Sequence, residues 1–129
     1  LNITQKLLQY INDNITGELT AQKVAKELGI SPYYLSHIFS SQLNISFPSY
    51  VAQQRMILAC NLLKDSRKTV TEISYECGFP NMRTFHRCFQ KRYECTPTQW
   101  RGGGDKGTDE KIRHQLWNQE KVESENSLE

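Results

Sequence analysis

The chain has 129 residues, of which 37% are hydrophobic and 23% charged, enough apolar content for one helical domain or two very small ones. No apolar run approaches membrane-spanning length and no signal peptide precedes the first amphipathic stretch, so no membrane partner and a cytoplasmic location are expected. The net charge of +2 hides an asymmetry: residues 1–101 hold 12 Lys/Arg against 7 Asp/Glu, while residues 102–129 hold 4 against 7.

Ile3, Leu7, Leu8, Ile11 and Ile15 recur at helical spacing and predict an amphipathic helix over 3–15, ending before Gly17. The chain begins at Leu1 rather than Met, which suggests a piece of a longer protein, and Leu128-Glu129 reads as a cloning remnant. Thr20 is placed to cap a helix running to Leu28, with Leu19 and Val24 as a hydrophobic staple. Ser31 before Pro32 predicts a second cap, for a helix to about Leu43 that closes at Asn44, a residue tolerant of left-handed backbone.

Ser46 then caps a long helix from Phe47 to about Lys64, about 27 Å at 1.5 Å per residue. Its apolar residues Phe47, Tyr50, Val51, Ile57, Leu58, Ala59, Leu62 and Leu63 cover a wide arc, which predicts burial against neighbours on both sides. After a loop over 65–68, Thr69 with Glu72 has a capping-box signature for a helix ending near Cys77. Asn81 caps a helix over 82–93, and Thr96-Pro97 opens a short last one containing Trp100. Gly102-Gly103-Gly104 ends the packed part. The charged remainder, with few apolar residues beyond Ile112, Leu116 and Trp117, is expected to be mostly disordered, with at most a short helix over 109–121.

One pattern occurs twice, about fifty positions apart: Val24-Ala25, Leu28-Gly29-Ile30, Leu35, Ile38-Phe39, then Ile73-Ser74, Cys77-Gly78-Phe79, Phe85, Cys88-Phe89. A small residue four before a glycine suits two helices that cross steeply, the glycine ending the first of them at positive φ. Two such helix-turn-helix units predict a protein that reads two successive major-groove segments of DNA. Basic charge agrees, because residues 55–101 carry 9 Lys/Arg against 4 Asp/Glu while residues 1–54 balance at 3 against 3.

In the helix after each turn, Leu35, Ile38, Phe39 and Leu43 face inward in the first unit, leaving Pro32, Tyr33, Ser36, His37 and Ser40 outside. In the second, Phe85, Cys88 and Phe89 face inward, leaving Met82, Arg83, His86, Arg87 and Gln90 outside. Arg83 and Arg87, one turn apart, match guanine's paired major-groove acceptors. A helix N-terminus disfavours cations, so two arginines there point to an external anion. Tyr33, Ser36 and His37 offer weaker polar contacts or a thymine-methyl contact, so the second unit is the stronger reader. Tyr33 and Met82 are equally readable as packing residues, and His37 and His86 as solvated surface histidines. Arg55, amid the apolar face of the long helix, reads as a structural arginine pairing with backbone or with Glu76.

Cys60, Cys77, Cys88 and Cys95 lack C-x-x-C spacing, so neither zinc nor disulfides are expected and the thiols read as small buried hydrophobes. No metal or other cofactor is expected, and no enzyme, since the three histidines and four cysteines form no nucleophile–base pair or metal cluster. A helical protein-interaction module remains the rival reading, disfavoured by the basic second unit.

Residues 3–101 resemble the DNA-binding domain of AraC/XylS-family bacterial transcription regulators. The resemblance is carried by Val24-Ala25, Leu28-Gly29-Ile30-Ser31, Tyr34-Leu35-Ser36, Phe39, Ser46-Phe47, Tyr50, Arg55, Ala59 and Leu62-Leu63. It continues through Ile73-Ser74, Gly78-Phe79, Phe85-His86-Arg87, Phe89, Thr96-Pro97 and Trp100-Arg101. It implies an all-α, seven-helix domain of two helix-turn-helix subdomains, at about 20–44 and 69–94, joined by a linker helix over 46–64. It implies base contacts from Tyr33, Ser36, His37, Met82, Arg83, Thr84 and Arg87. It also implies double-stranded DNA and RNA polymerase as partners, with the isolated domain monomeric and acting as a regulator's C-terminal effector part. Three positions depart from the family pattern: Glu94 replaces a usual glycine, His37 a frequent basic residue, and Arg83-Thr84 a small polar and aromatic pair.

Overall fold

Among the described residues, seven α-helices each begin at a side chain that accepts a hydrogen bond from the backbone N–H three residues on: Asn2, Thr20, Ser31, Ser46, Thr69, Asn81 and Thr96. These bonds satisfy donors that the first turn of a helix leaves free, so short polar residues set the starts. The computed structural model describes residues 2–102, and the expectations for the segment after Gly102 lie outside them.

The helices are α1 (Ile3–Asp13), α2 (Ala21–Leu28), α3 (Pro32–Ile38), α4 (Phe47–Asp65), α5 (Val70–Glu76), α6 (Met82–Tyr93) and α7 (Pro97–Arg101). Two ends differ from the sequence expectation. Helix α1 stops at Asp13 rather than 15, because the Asn14 amide donates back to Tyr10 O at 2.8 Å and turns the chain outward. Helix α3 does not remain α-helical to Leu43: Phe39–Leu43 form a widened π-helical turn. The hydroxyls of Ser40 and Ser41 both donate to the His37 carbonyl there, at 3.2 and 2.6 Å, drawing on the acceptor of the ordinary i−4 ladder.

The two turns share one hydrogen-bond pattern. Ile30 N donates to Ala25 O at 3.0 Å and Gly29 N to Lys26 O at 3.2 Å, with Gly29 at φ 70°. Phe79 N donates to Ser74 O at 3.2 Å and Gly78 N to Tyr75 O at 3.0 Å, with Gly78 at φ 87°. Both are Schellman ends that leave the small residues Ala25 and Ser74 fully buried where the helices cross. The second turn is one residue longer, since its cap is Asn81 rather than the residue two after the glycine.

The wide apolar arc of α4 has a concrete cause. Its first half (Phe47, Tyr50, Val51) closes a core with Leu7, Ile11, Val24, Leu35 and Phe39. Its second half (Met56, Ala59, Cys60, Leu63) closes another with Ile73, Phe79, Phe85, Phe89, Tyr93 and Trp100. One helix thus serves two cores on different faces and shows no single stripe. Arg101 fastens its end, Nε donating to Leu63 O at 3.0 Å, a cation placed at the negative pole of α4.

The repeat reaches past the turns. The residue ending the widened turn, Asn44 (φ 54°), matches Glu94 (φ 58°), and the caps Ser46 and Thr96 follow each. Glu94 is therefore left-handed without being glycine, which costs backbone strain. Glu94→Gly is expected to raise stability by up to about 1 kcal/mol. Thermal unfolding checks it, and a lowered midpoint would reveal a contact of the Glu94 side chain that outweighs the strain.

All four thiols are free. Burial pushes the Cys60 thiol up to about 11 and the Cys77 thiol to about 12, Glu76 adding to the latter. Thiolate is the reactive form, so iodoacetamide at pH 8 is expected to modify half-buried Cys88 and Cys95 before buried Cys60 and Cys77. Mass-spectrometric peptide mapping over time gives the order, and early labelling of Cys77 would contradict it.

Candidate nucleic-acid interface

Pro32 and the Ser31 cap start α3 so that its buried face is Leu35 and Ile38, continued by Phe39. The opposite face carries Tyr33, Ser36, His37 and Ser40, all exposed, with Tyr33 at 82%. In α6 the buried face is Phe85 and Phe89, and Arg83, His86, Arg87 and Gln90 are exposed. Neither Arg83 nor Arg87 forms an ion pair among the described residues, where Lys68 and Glu76 are the pair present. Two unpaired guanidinium groups thus lie within the first two turns of α6, where the helix field opposes cations.

Two side chains of α6, Met82 and Cys88, differ from the inside–outside assignment, and Thr84 had none. Met82, expected outside, is half-buried, and its sulfur lies 2.9 Å from Ser74 Oγ at the helix crossing. Thr84 is also half-buried, its N–H held by Asn81 Oδ1 at 2.8 Å. Cys88, expected inside, is half-buried as well and reaches a cleft shared by the two units.

That cleft, about 780 Å³, brings the two units together. Tyr33, Ser36 and His37 stand on one rim, Thr84 and Cys88 on the other, and Phe47, Val51 and Arg55 of α4 lie between. Arg83, Arg87 and Met82 are not among its lining residues. Of the predicted site residues, four therefore gather at the cleft, while the arginine pair lies on the second unit outside it.

Arg55 takes the backbone alternative, not Glu76. Its Nε donates to Ile15 O at 2.9 Å and its Nη2 to Gly17 O at 2.7 Å, tying the α1–α2 loop to α4. Burial lowers its pKa, opposed by the Cys77 thiol nearby. The second unit meets the same spot, because a Cβ on Gly78 would lie 2.9 Å from both Arg55 Nε and Ile15 O. Sequence reasoning gave Arg55 a structural role but had no signal for this meeting of three distant segments.

Among the described residues no group of His, Cys, Asp or Glu could hold a metal ion, and no helix is long and apolar enough to cross a membrane.

Two helix-turn-helix units on one shared helix, each presenting an exposed polar second helix beside a common cleft, define a bipartite DNA-binding domain. A sequence model of a helix-turn-helix domain matches residues 24–103. Regulatory protein SoxS of Salmonella typhimurium is 29% identical over 99 residues, covering 77% of this chain and 92% of SoxS. The C-terminal domain of AraT, a response regulator from Geobacillus stearothermophilus, superposes with TM-score 0.75 at 31% identity, covering 78% of this chain and 84% of that one. The DNA-binding domain of AdpA, solved with a target DNA, shares the fold at TM-score 0.76 and 17% identity, covering 80% and 93% of the two chains. The chain belongs to the AraC-type helix-turn-helix family of DNA-binding domains.

Proposed function

We propose that this domain binds double-stranded DNA sequence-specifically as part of a bacterial transcription regulator, with α3 and α6 in two successive major-groove segments. The observation that carries the reading is the exposed, unpaired Arg83–Arg87 pair at the start of α6, beside a second polar helix face on α3. Arg83 and Arg87 read base edges in the second segment, with Thr84 and the accessible part of Met82 beside them. Tyr33, Ser36 and His37 read the first segment more weakly. RNA polymerase is the protein partner such a role implies, with the isolated domain a monomer in the cytoplasm.

Selection of bound sequences from a random duplex pool tests the reading, and enrichment of no motif would overturn it. On the selected site, Arg87→Ala is expected to cost about 1–3 kcal/mol and to relax preference at one or two base pairs, with Arg83→Ala similar. Equal losses on selected and random duplexes in a binding titration would assign both arginines to phosphates instead.

A further inference from the structure

The two reading helices have the same length but not the same winding. The seven residues of α3 and the five of the widened turn match the twelve of α6, and both runs end at a left-handed residue, Asn44 or Glu94. Yet the Asn44 N–H donates to Phe39 O, five residues back, whereas the Glu94 N–H donates to Gln90 O, four back, at 2.9 Å. Shifted by fifty, the serines that bond the His37 carbonyl, Ser40 and Ser41, become Gln90 and Lys91, which have no hydroxyl to offer the carbonyl of Arg87. The second unit is thus an internal control: without the hydroxyls, the same stretch stays α-helical.

An i→i+5 ladder fits more residues into a turn than the i→i+4 ladder, so the two sides of the wide turn are rotated relative to one another when compared with α6. Both sides are pinned. Leu35 and Ile38 are buried before the turn and Leu43 at its end, and Gln42 accepts from the Thr4 hydroxyl of α1 at 2.6 Å. Tightening the turn must therefore twist the stretch that carries Ser36 and His37 or pull Gln42 off α1. We propose that Ser41 is a positioning residue for the first major-groove segment. Its hydroxyl, on the His37 carbonyl at 2.6 Å, keeps the turn wide and sets the angle at which Ser36 and His37 face the bases.

The effect on base reading rests on the DNA-binding reading; the hold on the turn does not. Ser41 is exposed, yet its hydroxyl is committed to the backbone, in the shorter of the two bonds to that carbonyl. It therefore acts on DNA through the helix rather than by a contact of its own. Alanine removes the hydroxyl and favours the α-helix, while threonine keeps a hydroxyl that reaches the same carbonyl. Ser41 belongs to neither packed core, so both substitutions should leave the thermal midpoint close to that of the unsubstituted chain.

The test compares the full chain with its Ser41→Ala and Ser41→Thr variants. Scalar couplings across hydrogen bonds in ¹³C,¹⁵N-labelled protein read which carbonyl the Asn44 amide meets. The expected partner is Phe39 in the unsubstituted and Ser41→Thr chains, and Ser40 in Ser41→Ala. Selection from a random duplex pool is expected to give Ser41→Ala a changed preference at the first half-site alone. Its binding to the site selected by the unsubstituted chain should weaken about fivefold, the low end of one lost base contact. Ser41→Thr should keep the original motif. A Phe39 partner in Ser41→Ala would overturn the hydroxyl's hold on the turn. A tightened turn with an unchanged motif, or a change spread over both half-sites, would overturn the positioning role. An unsubstituted chain that selects no motif would instead overturn the proposed function, with the couplings still deciding the hold on the turn.

Discussion

Replacing Arg55 by alanine is expected to cost about 2–4 kcal/mol, because two hydrogen bonds from a charged donor are lost together. The carbonyls of Ile15 and Gly17 would lose guanidinium partners now at 2.9 and 2.7 Å. The substitution strikes the place where the α1–α2 loop, α4 and the second turn meet, so it should also loosen one unit against the other. Gly78→Ala attacks the same place from the other side. Its Cβ would sit 2.9 Å from Ile15 O, a backbone atom that cannot swing away, in addition to the strain of φ 87°. Gly29 provides the control, with φ 70° and nothing within 4 Å of its Cβ position. Gly29→Ala should therefore cost only the left-handed strain, about 1–2 kcal/mol, and Gly78→Ala clearly more. Since the Arg55 guanidinium is one of the groups Gly78→Ala would strike, the double variant should be less destabilised than the two singles added, by about 0.5–2 kcal/mol. Urea unfolding of the four variants measures this. Equal costs for the two glycines, or strict additivity of the pair, would show that the units do not meet through Arg55.

The parts of this fold legible in the sequence are those set by local bonds. Ser31, Thr69 and Asn81 mark helix starts because each side chain reaches only three residues along its own chain. Gly29 and Gly78 mark helix ends for the same reason, as does Asn44, while the left-handed Glu94 is legible only through the glycine that the family usually places there. The exposed faces of α3 and α6 follow from helical periodicity, so Tyr33, Ser36, His37, Arg83 and Arg87 lie outside as expected. What was hidden depends on packing between segments far apart. Gln53 and Met56, left out of the expected apolar arc, are buried because α4 turns different faces to two cores, which no single-stripe pattern encodes. Met82 leans onto Ser74 because the crossing brings a sulfur and a hydroxyl together across eight positions. The cleft is a property of neither unit alone, and only the joint at Arg55 and the shared α4 create it.

That shared frame leads to the largest effect expected on DNA. Affinity should fall about a thousandfold between 50 and 200 mM salt, since about five or six neutralised phosphates give a log–log slope near −5. The excess of basic residues over 55–101 motivates the count. Most of that slope should belong to the second unit, because residues 1–54 carry no net charge. With α4 packed into both cores, α3 and α6 are expected to address one face of the duplex about 10–10.5 base pairs apart. Inserting five base pairs between the half-sites turns one of them to the far side. Following it would require bending or twisting the DNA at a cost of order 1–6 kcal/mol, more than Tyr33, Ser36 and His37 can offset. Release of the first unit is therefore the expected response: its half-site loses footprint protection, the second half-site keeps it, and the salt slope becomes only slightly shallower. A ten-base-pair insertion leaves the half-sites on one face but too far apart for a rigid monomer, and should give the same single-sided footprint. If the five-base-pair insertion leaves both protections and the affinity intact, the two units move independently and α4 is a flexible tether rather than a strut.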